Sequence, residues 1–366
     1  MSSQHGSLRS GQILDLLGLF PYFGPDAIGG AQLSGRLAWE GLRITALAGK
    51  AHLFAYGVPP DKQSRTVDAT QVGLGKLTAA RAALDLAARP NLVLIWHIGM
   101  VRLLPFFRPG RAKVALMLLG IEAWRRHDPL TRLLLRRVDQ FLSISDHTWR
   151  GFLSFYPHLA ARPHRTVYLG LDEPAVVLPA LPAAPPAALI ISRLARGEDY
   201  KGHRELINAW PLLQQKLPEA ELWIAGDGDL RPELERLAHE RGLAAVVRFF
   251  GQVSDVQKQD LLARSRCLAM PSRGEGFGLV YLEAMRLGRP CLVSTLDAGR
   301  EVVNPPQAGL AADPADPQAL AAALVRLLTC GTEWERWSAQ AQQRYVNQFT
   351  AAHFQQRLVA ALSEQK

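Results

Sequence analysis

From residue 189 onward, short apolar runs alternate with longer stretches whose hydrophobic positions recur at helical spacing. ALIIS is followed by a helical pattern over 203–216, ELWIAG by one over 231–242, VVRFF by 255–264, RCLAMP by 278–287 and PCLVS by a short helix. Apolar runs of strand length, each followed by a helix, predict a parallel sheet buried on both faces, the Rossmann-like arrangement. The first half repeats the pattern less regularly: ILDLLGLFPYF predicts the first strand, and NLVLIWH, KVALMLLG and QFLSIS predict later ones. Between the halves, EPAVVLPALPAAPPAA holds five prolines and almost no charge, a composition suited to an extended linker. The closing segment from Trp334, WERWSAQAQQRYVNQFTAAHFQQRLVAALSEQ, reads as one long helix with no strand. The chain is therefore expected to be α/β and to divide into a first domain (1–172), a linker (173–188), a second domain (189–340) and a terminal helix (341–366).

Composition agrees with two buried cores: the chain has 366 residues, 48% of them hydrophobic. No run approaches the ~18 apolar residues of a membrane span, and the short, interrupted apolar stretch ILDLLGLFPYF that follows the polar start Met1–Gly11 lacks the charged flank and cleavage site of a signal peptide. Cys267, Cys291 and Cys330 are an odd number without metal-ligand spacing and read as reduced, buried thiols of a cytosolic protein.

Charge changes the picture more. Residues 1–173 carry 21 Lys and Arg against 12 Asp and Glu, a net +9, whereas 174–366 carry 21 of each. The excess concentrates over 102–137, where Arg102, Arg108, Arg111, Lys113, Arg125, Arg126, Arg132, Arg136 and Arg137 face only Glu122 and Asp128, with VRLLPFF and LTRLLLRR interleaved. That pattern suits peripheral contact with an anionic membrane or a phosphate-bearing acceptor. The plainer alternative is a set of solvated helix faces with inward-packed leucines. Nucleic acid is not expected, because no reading motif or aromatic stacking platform accompanies the charge.

The most informative segment is 271–285, PSRGEGFGLVYLEAM, which places Glu275 in a glycine-rich loop and Glu283 eight positions later in a helix. Glycines there permit close backbone approach to a ligand, and a helix start offers unpaired N–H groups to an anion. At ~1.5 Å rise per residue the two carboxylates should lie on the order of 10 Å apart, a separation suited to the two ends of an extended ligand. Upstream, Arg193 ends the apolar run ALIIS and Lys201 follows it. A guanidinium fork and a mobile ammonium at the carboxyl end of a strand are suited to stabilising a departing diphosphate.

These segments resemble family 4 of the retaining GT-B glycosyltransferases. Glu275 and Glu283 match its Glu-x7-Glu element, Arg193 and Lys201-Gly202 its Arg…Lys-Gly diphosphate clamp, and Gly29-Gly30 its N-terminal glycine loop. LSISDHT, VYLGLDEP, WIAGDGDLRPELERLA and RFFGQVSD match further landmarks in order, so the resemblance spans roughly residues 10 to 360. It implies two Rossmann-like domains about a deep cleft, with a terminal helix returning to the first domain from about residue 340. It further implies a metal-independent retaining hexosyltransferase, with a nucleotide-diphosphate sugar as substrate rather than cofactor. The acceptor would be a glycan or lipid-linked intermediate of cell-surface polysaccharide synthesis, and the setting cytoplasmic, with a peripheral place on the membrane's cytoplasmic face as the variant of it.

By the same resemblance Glu275 contacts donor-sugar hydroxyls, Glu283 the ribose, backbone N–H groups near Phe277, Gly278 and Leu279 the sugar or phosphate, and Val253 the base. His97, at the end of LVLIWH, is a candidate for the cleft lining, although a lone histidine is more often structural. Two departures stand out. The Arg193–Lys201 gap is two residues longer than in many members, and Leu119 precedes GIEAW where relatives commonly have His. Leu119 motivates an alternative, a non-catalytic nucleotide-sugar binder or scaffold in a glycan assembly complex. Asp227-Gly228-Asp229 imitates an Asp-x-Asp metal motif but occupies the position of a family glycine turn. GDGDLR and GLGKLT lack the glycines of dinucleotide and P-loop fingerprints.

Overall fold

The computed structural model describes residues 14–24, 29–44, 48–86, 89–107, 110–172, 182 and 184–363. Arg108 and most of the proline-rich linker lie outside these. The chain forms two compact units, one of Met1–Ile144, Thr148–Tyr168 and Phe354–Lys366, the other of Ser145–His147 and Leu169–His353.

The first unit is built on eight strands: β1 (Leu14–Pro21), β2 (Ala48–Tyr56), β3 (Ser64–Arg65), β4 (Ala69–Val72), β5 (Leu92–Ile95), β6 (Lys113–Leu118), β7 (Gln140–Ser143) and β8 (His164–Thr166). Their order is β3-β4-β2-β1-β5-β6-β7-β8, parallel except for the antiparallel β3–β4 pair. β1 shows why such strands read as continuous apolar runs. Leu17 and Leu19 join the core with Phe54, Val93, Ile95 and Phe107. The Phe20 ring lies 5.7 Å from Trp39 and stacks 5.2 Å from Trp96. Trp39 belongs to the helix Gly30–Ile44, which also buries Leu37, Ala38 and Leu42. β2 was not anticipated, because Lys50 and His52 interrupt its apolar pattern. His52 is half-buried and bonded to the Val67 carbonyl (3.0 Å) and the Thr70 hydroxyl (2.9 Å).

The second unit has six parallel strands, β9 (Ala187–Ile191), β10 (Glu221–Ala225), β11 (Val247–Gly251), β12 (Cys267–Met270), β13 (Cys291–Ser294) and β14 (Gly309–Ala312), in the order β11-β10-β9-β12-β13-β14. Helices His203–Gln214, Arg231–Glu240, Asp255–Arg264 and Leu279–Arg286 follow the predicted patterns to within two residues. Ala187 and Ala188, read as linker, already belong to β9.

The closing segment is not one helix. It breaks at Phe349–Thr350 between Thr332–Gln348 and Ala351–Ser363, because backbone groups there pair with Leu171: Leu171 N donates to Phe349 O (2.9 Å) and Ala351 N to Leu171 O (2.8 Å). Only Phe354 onward joins the first unit. There Gln355 donates to Leu37 O (3.0 Å) and Gln140 to Ala361 O (2.8 Å).

Cys267 and Cys291 are buried at the starts of β12 and β13, and burial pushes the Cys267 thiol up to about 12. Cys330 is exposed, contrary to expectation. It sits in the turn between helices Pro317–Leu328 and Thr332–Gln348, where no sheet covers it.

Candidate active site

The site in the second unit is assembled at the carboxyl ends of β9 and β12. After β9, Arg193 is largely exposed and ion-paired with Glu198. The chain then turns through a short helical segment, Arg196–Lys201, to Gly202, whose φ of +102° favours glycine. A Cβ there would also lie 2.9 Å from Pro271 Cγ and Cδ, so glycine lets the Lys201 loop close onto the loop after β12. That closure is reinforced where Arg273 N donates to Tyr200 O (2.9 Å) and Arg273 pairs with Glu205 (2.8 Å).

Within this closure Lys201 Nζ lies 2.8 Å from Glu275 Oε2, with the two side chains only 16% and 15% exposed. Burial works against the ammonium, but the adjacent Glu275 carboxylate outweighs it and raises the Lys201 pKa, so the lysine remains charged.

Gly278 (φ +84°) opens the helix Leu279–Arg286, which has no side-chain N-cap. Its uncapped first turn is suited to an anion. The Phe277 side chain is not presented to solvent: it is buried, its ring 6.1 Å from Phe349. Glu283 lies on the second turn, nearly buried, with Lys258 Nζ 2.8 Å from its Oε1. Burial opposes the Lys258 charge, and Glu283 overcomes that and raises its pKa. Half-buried Val253 precedes Ser254, which with Gln257 forms the capping box of Asp255–Arg264 and so fixes the helix bearing Lys258.

Two buried titratable groups lie under these loops. His203 Nε2 is 3.2 Å from Ser192 Oγ, while its buried Nδ1 has no hydrogen-bond partner. Burial, aided by nearby Lys201, lowers its pKa to about 4, so it is neutral. Asp297 accepts from Gly299 N (3.0 Å) and Glu275 N (3.3 Å). Burial raises its pKa to about 7, partly offset by the Gly299 N–H and reinforced by the Glu275 charge.

The structure thus brings Arg193, Lys201, Val253, Glu275, Phe277, Gly278, Leu279 and Glu283 into one unit, while Gly29, Gly30 and His97 belong to the other. Gly29 accepts from Leu33 N (3.0 Å) at the start of Gly30–Ile44. His97 Nδ1 accepts from Gly99 N (3.0 Å), and burial, then Arg125, holds its pKa below the ordinary value. Leu119 is half-buried, its N–H bonded to Glu122 (2.7 Å). The Asp227-Gly228-Asp229 carboxylates are engaged locally, Asp227 with Arg231 (3.2 Å) and Asp229 with Arg196 N (2.9 Å). Among the described residues, no group of three or more His, Cys, Asp or Glu is placed to hold a metal ion.

The sequence reading passed over Lys258, Asp297 and the Ser192–His203 contact. None carries a motif, and the only available signal was that a buried Glu283 requires a nearby cation.

Two Rossmann-like units with a glycine loop and helix start at the end of a central strand define the GT-B class. Solved structures agree on the fold: Anabaena HepE in complex with UDP and glucose matches at TM-score 0.72 and 19% identity, over 96% of this chain and 100% of that one. Sucrose-phosphate synthase from Thermosynechococcus elongatus matches at TM-score 0.74 and 20% identity, over 95% and 98%. By sequence, residues 185–330 match the family described as Glycosyl transferases group 1. The phosphatidyl-myo-inositol mannosyltransferase of Mycobacterium leprae (strain TN) is 36% identical over 152 residues, 40% of each chain. Glycogen synthase of Mycobacterium tuberculosis (strain ATCC 25618 / H37Rv) is 33% identical over 168 residues, 46% of this chain and 40% of that relative. The match therefore spans well under half the length of these curated relatives.

Proposed function

We propose that this protein is a metal-independent, retaining glycosyltransferase that moves a hexose from a nucleotide-diphosphate sugar to a lipid-linked or glycan acceptor. The observation that carries this reading is the largely enclosed Lys201–Glu275 pair beside the glycine loop, with Arg193 just after β9. Arg193 and Lys201 supply positive charge to a diphosphate. When the diphosphate draws Lys201 toward itself, Glu275 is released to accept from sugar hydroxyls. Lys258 likewise holds Glu283 in place until ribose hydroxyls arrive. Both carboxylates are thus ordered before the ligand, which lowers the ordering cost of binding. In a front-face reaction the acceptor oxygen forms its bond to the anomeric carbon on the face the diphosphate leaves, and a diphosphate oxygen takes the acceptor proton. The acceptor class is supported by the name of the mannosyltransferase relative, and the donor class by UDP in the HepE complex.

Calorimetric titration with UDP, GDP and ADP in metal-free buffer is expected to show binding of one nucleotide. Arg193→Ala should weaken that binding about tenfold or more, the loss of one charge-assisted hydrogen bond. Binding of none by the unaltered protein would favour the non-catalytic scaffold over both the transferase and the nucleotide-sugar binder, with Leu119 marking lost chemistry.

A peripheral membrane role is part of the same proposal. Among the described residues no helix is long and apolar enough to cross a membrane. Leu134 and Leu135 pack inward from the helix Pro129–Leu135, but Leu130 and Leu133 are 53% and 59% exposed beside exposed Arg132, Arg136 and Arg137. Asp128 is ionised but ion-paired with Arg102, so it offsets that arginine rather than Arg132, Arg136 and Arg137. It caps the helix through Thr131, and that bond together with Arg102 holds its carboxyl well below the usual range. The protein should co-sediment with phosphatidylglycerol vesicles but not with phosphatidylcholine ones, and L130E/L133E should abolish the binding. Equal recovery of the variant with anionic vesicles would remove this face from consideration.

A further inference from the structure

The loop that carries Glu275 is gripped from behind. Glu275 N donates to Asp297 Oδ2 (3.3 Å), and one residue on, Ala298 N donates back to Glu275 O (3.1 Å). The other carboxylate oxygen of Asp297 accepts from Gly299 N (3.0 Å), fixing its own turn after β13. Asp297 is 4% exposed, and the turn beside it is closely packed: a Cβ on Gly299 would stand 3.0 Å from the Tyr281 ring and hydroxyl and 3.1 Å from Asp297 Oδ1. Tyr281, fully buried, is itself fixed by donating to Met270 O (2.9 Å) at the end of β12. Glu275 is thus held by its backbone to Asp297 and Ala298, and by its side chain to Lys201.

We propose that Asp297 is a positioning residue, whose carboxylate sets the backbone of Glu275 so that its side chain meets Lys201 and the donor site is formed before a ligand arrives. The role deepens the donor-site reading and rests on it. An apolar residue would fill the space, and a neutral amide would present an N–H toward either Glu275 N or Gly299 N, which are already donors; only a carboxylate accepts from both. The choice has a cost, because a second carboxylate is buried near Glu275. The groups facing Asp297 are Ser272, whose hydroxyl bonds to it, Glu275, the Tyr281 hydroxyl, and Lys201 through Glu275. Among the described residues no cation pairs with Asp297; burial lifts its pKa to about 7, and Glu275 adds to the shift. The grip is therefore complete above neutral pH and weakens as Asp297 takes up a proton below it.

The test is the rate at which acetic anhydride acetylates Lys201 in the ligand-free protein, measured by mass spectrometry relative to Lys258 in the same molecule. Asp297→Asn should release the Glu275 loop and raise the Lys201/Lys258 ratio about tenfold at pH 8. In the unaltered protein, which raises no question of misfolding, the ratio should be several-fold higher at pH 6 than at pH 8, and in Asp297→Asn it should not change with pH. An unchanged ratio in the variant at pH 8, or a pH-independent ratio in the unaltered protein, would overturn the proposal. Neither readout involves a nucleotide, so a failure of nucleotide binding would be seen separately.

Discussion

Replacing Lys201 by alanine is expected to reduce kcat by about a hundred- to a thousandfold, the range for removing one preorganised group that stabilises developing charge. The structure adds a second consequence. Lys201 is the cation that Glu275 contacts, at 2.8 Å in a site mostly shielded from water. Its loss leaves Glu275 without a counter-charge beside Asp297, and breaking such a pair from one side costs about 3 kcal/mol. The melting temperature should therefore fall along with activity, and the two effects must be separated. The double variant Lys201→Met, Glu275→Gln removes the pair as a unit. It should regain most of the lost thermal stability while remaining inactive. Steady-state turnover with a donor of the nucleotide class found by calorimetry, together with thermal melting of the three proteins, decides the matter. Turnover within threefold of the unaltered protein in Lys201→Ala would rule the lysine out as a diphosphate ligand. Recovery of turnover in the double variant would show that the single change acted only through stability.

His203 should make the second unit acid-sensitive. Its folded pKa of about 4 lies below the 6.5 of an unperturbed imidazole. As pH falls below 6.5 the unfolded chain takes up this proton and the folded chain does not, so stability present above pH 6.5 is lost progressively toward pH 4. A difference of that size corresponds to about 3 kcal/mol. Asp297 acts in the opposite direction. Its folded pKa of about 7 exceeds the ordinary 3.8, so the folded protein takes up the proton first and gains stability as pH falls from about 7 to 4. The two slopes largely cancel in the unaltered protein. His203→Gln, which removes only the first, should melt at a higher temperature at pH 5 than at pH 7 relative to the unaltered protein. Parallel melting curves for the two proteins across that range would mean that His203 titrates in the folded state as it does in the unfolded chain.

The local order of this protein was legible in the sequence because burial on both faces of a parallel sheet writes itself as short apolar runs. β9, β10 and β12 and the helices after them followed that rule. Arg193, Lys201 and Glu275 near strand ends, and Glu283 in the helix that follows, stood out in the sequence because glycines and charges cluster around them. β2 escaped because Lys50 and His52 break its apolar pattern and its stability comes from neighbouring strands and His52's bonds to Val67 and Thr70. The break at Phe349–Thr350 escaped because its cause, Leu171, is distant along the chain. Leu130 and Leu133 occur in the same LTRLLLRR run as buried Leu134 and Leu135, and only packing decided which pair faces outward.

The division is sharpest at the site itself. The sequence by itself determined which groups carry the charge: a guanidinium, an ammonium and two carboxylates, on the loops and helix that follow strands whose apolar runs are plain. Only the tertiary structure decided their partners, pairing Glu275 with Lys201, Glu283 with Lys258, and the Glu275 backbone with Asp297. Those partners come from different β–α units that meet at the carboxyl edge of one sheet. Their proximity follows from strand order and loop closure, which a linear pattern of hydrophobic positions does not contain.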